Sequence, residues 1–271
     1  MQARIALEGR EVGVDLSRPV DLAIGLDFAG PQPRHFGAPR ASSRAFEAPG
    51  FKGSVARGAG CNCDLITLIP HCNGTHTEGV GHLTRERLDA WRVAPRGLMP
   101  ALVLSVTPAA AAGESSEPAP QAHDRLVTRG ALQAAWPADT PFAPTALVIR
   151  TLPNTPDKRV RDYSGQIPPY LSQEAAQLLV ERGILHLVVD LPSIDRAHDE
   201  GRLTAHRIFF GLPRGEVHLD AALRPAATIT ELAFVPETVP DGPCLLALQV
   251  PALGGDAVPS RPLWYQLAPD P

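Results

Sequence analysis

The chain has 271 residues, 44% hydrophobic, 20% charged and only 5% aromatic, with a net charge of −4. That length can bury a substantial core, and the slight acidity gives no electrostatic footprint for nucleic acid or an anionic membrane. No run reaches the roughly 18 apolar residues of a membrane helix, and Met1-Gln2-Ala3-Arg4-Ile5 lacks the layout of a secretion signal, so a cytoplasmic protein is expected.

Residues 3–8 and 11–16 alternate apolar and polar side chains around Gly9-Arg10, the pattern of a hairpin. Residues 17–60 lose periodicity and gather Pro, Gly and Arg, with Phe28, Phe36, Phe46 and Phe51 among them. A loop of that length in a compact protein is a functional cover or a partner arm. Cys61 and Cys63 follow, and read as small packing residues entering a strand. With Cys72 and Cys244 they do not match zinc-ribbon spacing, and at this chain size reduced thiols are expected.

Leu65–Ile69 is apolar and β-branched enough to predict a buried strand ending at Pro70. Directly after it, residues 70–82 hold His71, Cys72, His76, Glu78 and His82 with three glycines. Ligand-type side chains in a glycine-loosened turn at a strand end mark a site on a rigid element. In an extended segment His76 and Glu78, at i and i+2, share a face and can reach one ion. His82 joins them only if Gly79 and Gly81 turn the chain. Imidazole with carboxylate suits zinc, manganese or iron, and a carboxylate can bridge two such ions.

Further along, Leu83–Val93 carries a modest amphipathic-helix pattern, and 101–106 reads as a strand. Residues 107–121 form a small-residue, Pro-rich surface loop, 125–135 look helical, and 146–150 are a strand. Ser172 is placed to cap a helix with Glu174 in its first turn and Gly183 as its stop. Residues 184–190 form a nearly continuous apolar strand, as in a sheet covered on both faces. His186 within it reads as a core or edge histidine. Strands at 228–235 and 244–250 complete a mixed α/β pattern without internal repeat or domain boundary, so residues 1–271 are expected to form a single domain.

Gly74-Thr75-His76-x-Glu78-x(3)-His82 resembles the H-x-G-T-H-x-D-x-P-x-H motif of the metal-dependent cyclase family, which contains bacterial kynurenine formamidases and isatin hydrolases. Val14-Asp15-Leu16-Ser17-Arg18-Pro19, Asp162-Tyr163-Ser164-Gly165, Pro168-Pro169-Tyr170-Leu171, Asp190-Leu191-Pro192-Ser193-Ile194-Asp195, Ala205-His206-Arg207, Ile229-Thr230-Glu231-Leu232 and Asp256–Pro262 resemble further family segments in order. The resemblance implies a swivelling β/β/α domain with a mixed central sheet, few helices and long loops. It implies a divalent metal, Zn or Mn, as one or two ions, and a homodimer or homotetramer acting on a small-molecule substrate.

Carried over by position, His76, Glu78, His206 and Glu231 match metal ligands, with Glu78 replacing the usual aspartate, and His82 matches the proton-transferring histidine. The family's first ligand histidine aligns without gaps on Cys72, with His71 one residue away. His71 keeps the shell closer to the family pattern, whereas a Cys72 thiolate biases it toward zinc. Residues 213–224 form an apparent insertion, and His218 within it is expected at the surface. The implied activity is hydrolysis of an amide or ester carbonyl, arylformamidase-like, on a formamide, cyclic amide or lactone. The alternative is a catalytically inactive small-molecule-binding member of the same fold.

Overall fold

The computed structural model describes residues 1–268. A nine-stranded sheet runs in the order Ala257–Pro259, His76–Glu78, Thr228–Glu231, His186–Val189, Ala146–Thr151, Leu98–Val106, Gly242–Gln249, Arg261–Gln266, Val20–Asp21. The four strands from Thr228–Glu231 to Leu98–Val106 are parallel, and the strands flanking them on each side are antiparallel. The sheet is therefore mixed, as expected, and only four α-helices occur among the described residues.

The central strands are apolar on both sides because both faces are covered. Leu102, Leu104, Leu147, Ile149, Leu187 and Val189 point into a core shared with the helices. Their neighbours Ala101, Val103, Ala146, Val148 and Val188 pack on the opposite face with Leu246, Leu248 and Trp264. Besides the four-residue α1 (Ala90–Val93), which touches the edge strand Ala257–Pro259, the helical layer consists of α2 (Arg129–Ala135), α3 (Gln173–Glu181) and α4 (Thr204–Phe210). Ser172 caps α3 as expected, its hydroxyl accepting from the Ala175 N–H at 2.9 Å, and Gly183 leaves the helix in a left-handed conformation. The N-terminal hairpin pairs Gln2–Leu7 with Arg10–Asp15, so its turn is Glu8-Gly9.

Four local expectations need correction. The Leu83–Val93 pattern yields only the single turn of α1, because Thr84 bonds the carbonyls of Val80 and Glu86 and draws the chain into a turn. The predicted helix at 125–135 starts late: Leu126–Val127 pairs in parallel with Tyr170–Leu171, and Thr128 then caps α2. The predicted buried strand is exposed. Asp64–Thr67 pairs only with Ser42–Ala45, as a two-stranded ribbon outside the main sheet, leaving Leu65, Ile66 and Ile69 40–53% accessible. Cys61 and Cys63 lie beside this ribbon and are exposed, not packed into a strand as expected.

Candidate metal centre

The motif loop arrives at the sheet through His76–Glu78, which lies antiparallel between Thr228–Glu231 and Ala257–Pro259. The register sets His76 directly across from Glu231, and opposed residues of an antiparallel pair present their side chains on one face. Alternation adds Glu78 to the same face. Gly74 turns the chain into this strand at φ +90°, where a side chain would also meet Leu26. After the strand Gly79 is extended, and a short 3₁₀ turn, Val80–His82, brings His82 back. Gly81 is needed there for space rather than for left-handed freedom, since a Cβ would come within 2.4 Å of the Leu88 carbonyl oxygen.

All six sequence-derived residues fall in donor sets, five of them in two sets that share Glu78 and His82 in a third. The ligand atoms of His71, His76 and Glu78 lie within 4.8 Å of one another, as do those of Glu78, His206 and Glu231. Glu78 belongs to both groups. His71, His82 and Asp256 form a third. His71, not Cys72, approaches Glu78, with Nδ1 at 2.9 Å from Oε2. Cys72 is buried beside them, its thiol pKa raised by burial and then by the Glu231 charge.

Hydrogen bonds fix how each ring faces the centre. His76 uses Nδ1 to donate to the Gly74 carbonyl at 3.0 Å, which turns Nε2 toward Glu231 at 3.5 Å. His206, on α4, uses Nδ1 on Asp195 at 2.6 Å and places Nε2 2.7 Å from Glu78 Oε1. Asp195 also accepts the backbone N–H groups of Ala205 and His206, so one carboxylate sets both the start of α4 and the ring it carries. Glu231 is held through Oε1 by the Ile194 N–H at 2.8 Å. Asp256 accepts from His71 Nε2 at 2.8 Å and from His82 Nδ1 at 3.1 Å, both through Oδ2.

The residues present fit a cation. His76, Glu78, His206 and Glu231 are all buried, yet His76 Nε2 and both Glu78 oxygens have no aligned hydrogen-bond partner. Buried polar atoms without partners are costly unless something else occupies their lone pairs, and two-nitrogen, carboxylate-rich shells suit borderline divalent ions. The electrostatics agree. Burial opposes a charged His71, but Asp256 and Glu78 outweigh it and raise its pKa to about 10. Burial likewise opposes ionisation of Glu78, and His206 and His82 hold its pKa well below the usual range. The cluster favours a positive charge at its centre, which a proton or a metal can supply.

Residue 256 was legible only as part of a family segment, and Asp195 only as the end of another. Neither stood out as a site residue because each lies far in sequence from the ring it holds. Two sequence expectations for other histidines agree with the structure. His186 bonds Thr228 Oγ1 at the start of its strand, and His218 pairs with Glu86 on the surface.

The family model described as Cyclase matches residues 14–196, about two thirds of the chain. The chain belongs to this cyclase family. No curated protein sequence matches it. Among solved structures, one described as a "predicted metal-dependent hydrolase" from Bacillus stearothermophilus aligns with a TM-score of 0.57 and 16% identity, over 92% of this chain and 98% of the other. Isatin hydrolase A from Labrenzia aggregata aligns at 0.55 and 18% identity, over 92% and 93%. An isatin hydrolase bound to the product analogue thioisatinate aligns at 0.57 and 17%, over 93% and 92%. At these identities the likeness establishes the fold.

Proposed function

We propose that this cyclase-family chain is a metal-dependent hydrolase that cleaves an amide or ester carbonyl of formamide, cyclic amide or lactone type. One observation carries the proposal: donor atoms of His71, His76, Glu78, His206 and Glu231 converge at one end of the sheet while three of the buried ones lack aligned hydrogen bonds. His71, His76 and Glu78 would hold one ion, and Glu78, His206 and Glu231 a second, so the shared Glu78 suits either one or two ions of Zn or Mn. When bound, such an ion supplies Lewis-acid polarisation of a carbonyl and acidification of water.

The remaining chemistry belongs to the chain. Gly74 and Asp195 fix the orientations of His76 and His206, so that their Nε2 atoms face inward. His82, half-buried at the rim, has Nδ1 on Asp256 and directs the other ring nitrogen to proton exchange as general base and then general acid. Asp256 is a positioning residue for both His82 and His71.

The test combines elemental analysis of purified protein with a hydrolysis panel of isatin, N-formylkynurenine and simple lactones. Stoichiometric zinc or manganese and turnover of one panel member are expected, with turnover lost but metal retained in His82→Ala. Protein that stays inert toward the panel after reconstitution with either metal would instead favour the inactive binding member.

A further inference from the structure

A cavity of about 570 Å³ lies on the helical side of the molecule, between α3, α4 and the turns at Glu117 and Arg214, and none of the candidate metal ligands lines it. We propose that it is a second binding site, for a small organic carboxylate with an apolar body. Ile208 and Leu212 form an apolar floor, while the polar groups sit at the rim, the usual division of labour in a small-molecule site. Arg202, Arg207 and Arg214 line it with Glu117, and Glu200 pairs with Arg202 from outside the lining at 2.8 Å, which leaves three arginines facing two carboxylates.

Glu117 bridges two of these arginines, with Oε1 3.0 Å from Arg214 Nη1 and Oε2 3.6 Å from Arg202 Nη1. It comes from the Pro-rich 107–121 loop and occupies the position a ligand carboxylate would take. Arg207 makes no ion pair among the described residues. Its Nε and Nη1 donate to the carbonyls of Arg202, Pro213 and Glu216, which fixes the guanidinium at the rim with its charge uncompensated. Partly exposed pairs such as those of Glu117 contribute modest net stability, so an incoming carboxylate can exchange for Glu117 at modest cost. The planar fork of arginine suits a carboxylate, and burial of the ligand body on Ile208 and Leu212 supplies the net affinity. The occupant would rest on the outer side of α4, whose inner side carries His206.

The experiment titrates 2-naphthoate, and separately the uncharged 2-naphthamide, into the full chain by calorimetry. Wild type is compared with Glu117→Ala, the double variant Arg202→Met/Arg214→Met, and His82→Ala. One naphthoate per chain is expected, at least about ten-fold preferred over the amide and about ten-fold weaker in the double variant. Glu117→Ala, which removes the internal competitor, binds more tightly, and His82→Ala binds as wild type does. Equal affinity for the amide, or indifference to the rim substitutions, overturns the proposal. Loss of binding in His82→Ala alone also overturns it, because the anion then sits at the metal centre. Should a rim variant lower the melting temperature, the wild-type preference for naphthoate over its amide decides.

Discussion

Two buried polar clusters sit at the same edge of the central sheet, where its parallel strands end, and they are built in opposite ways. In one, Lys158 donates to the Thr151 carbonyl at 2.6 Å, the Thr151 hydroxyl at 2.9 Å and Asp190 at 2.8 Å, while the Thr151 N–H and hydroxyl close on Asp190. In the other, His76, Glu78, His206 and Glu231 are equally buried, but three of their inward atoms find no aligned partner. A closed network ties strand ends together, whereas an open one has donor capacity left for something the chain does not provide. Burial alone therefore does not mark the candidate site; the convergence of ligand atoms that lack aligned partners does.

That contrast can be broken deliberately. The largest effect is expected at the open cluster, where Glu78→Gln removes the one carboxylate common to both donor groups. Turnover should fall by at least about a thousand-fold, with metal content collapsing in elemental analysis while circular dichroism stays native. Retained metal and activity would show that the two groups do not share a ligand.

Lys158→Met should do the reverse. It strands Asp190, whose pKa burial already raises despite the lysine, and a buried charge left unpaired costs about 3–5 kcal/mol. Denaturant unfolding should register that loss, with metal content per folded chain unchanged.

Two histidines, half-buried His186 outside the open cluster and buried His206 inside it, supply a finer comparison. His206 is raised well above the ordinary range, since burial is outweighed by Glu78 and Asp195, whereas burial lowers His186 to about 4. A depressed histidine takes its proton in the unfolded state first, so its contribution is complete above about pH 6.5 and is lost as the pH falls toward about 4. His186→Gln should flatten the stability profile across that window, by roughly 3 kcal/mol at most; an unchanged profile would mean His186 stays accessible to protons in the folded chain. The smallest effect is expected at Asp195→Asn, which keeps the shape around His206 but loses the charge on its Nδ1. Metal affinity should fall about 10–100-fold, measured by chelator competition.

The sequence by itself determined the strand cores, the capped helix α3 and the order of ligand-type residues, because these rest on short-range rules. Alternating or continuous apolar runs report burial, Ser172 and Gly183 report helix ends, and the i, i+2 spacing of His76 and Glu78 reports a shared face. It could not show that Leu65 and Ile66 lie exposed on a ribbon, since an apolar run looks the same in either place. Nor could it choose between His71 and Cys72, one residue apart, because a short 3₁₀ turn at Pro70–Cys72 decides which side chain meets Glu78.

Only the tertiary structure joined His76 to Glu231 across strands 155 positions apart, by antiparallel register. Only it brought Asp195 and Asp256 to the rings they orient. Periodicity fixes which face a side chain takes, but long-range strand pairing fixes what it faces, and metal-site geometry depends on the second.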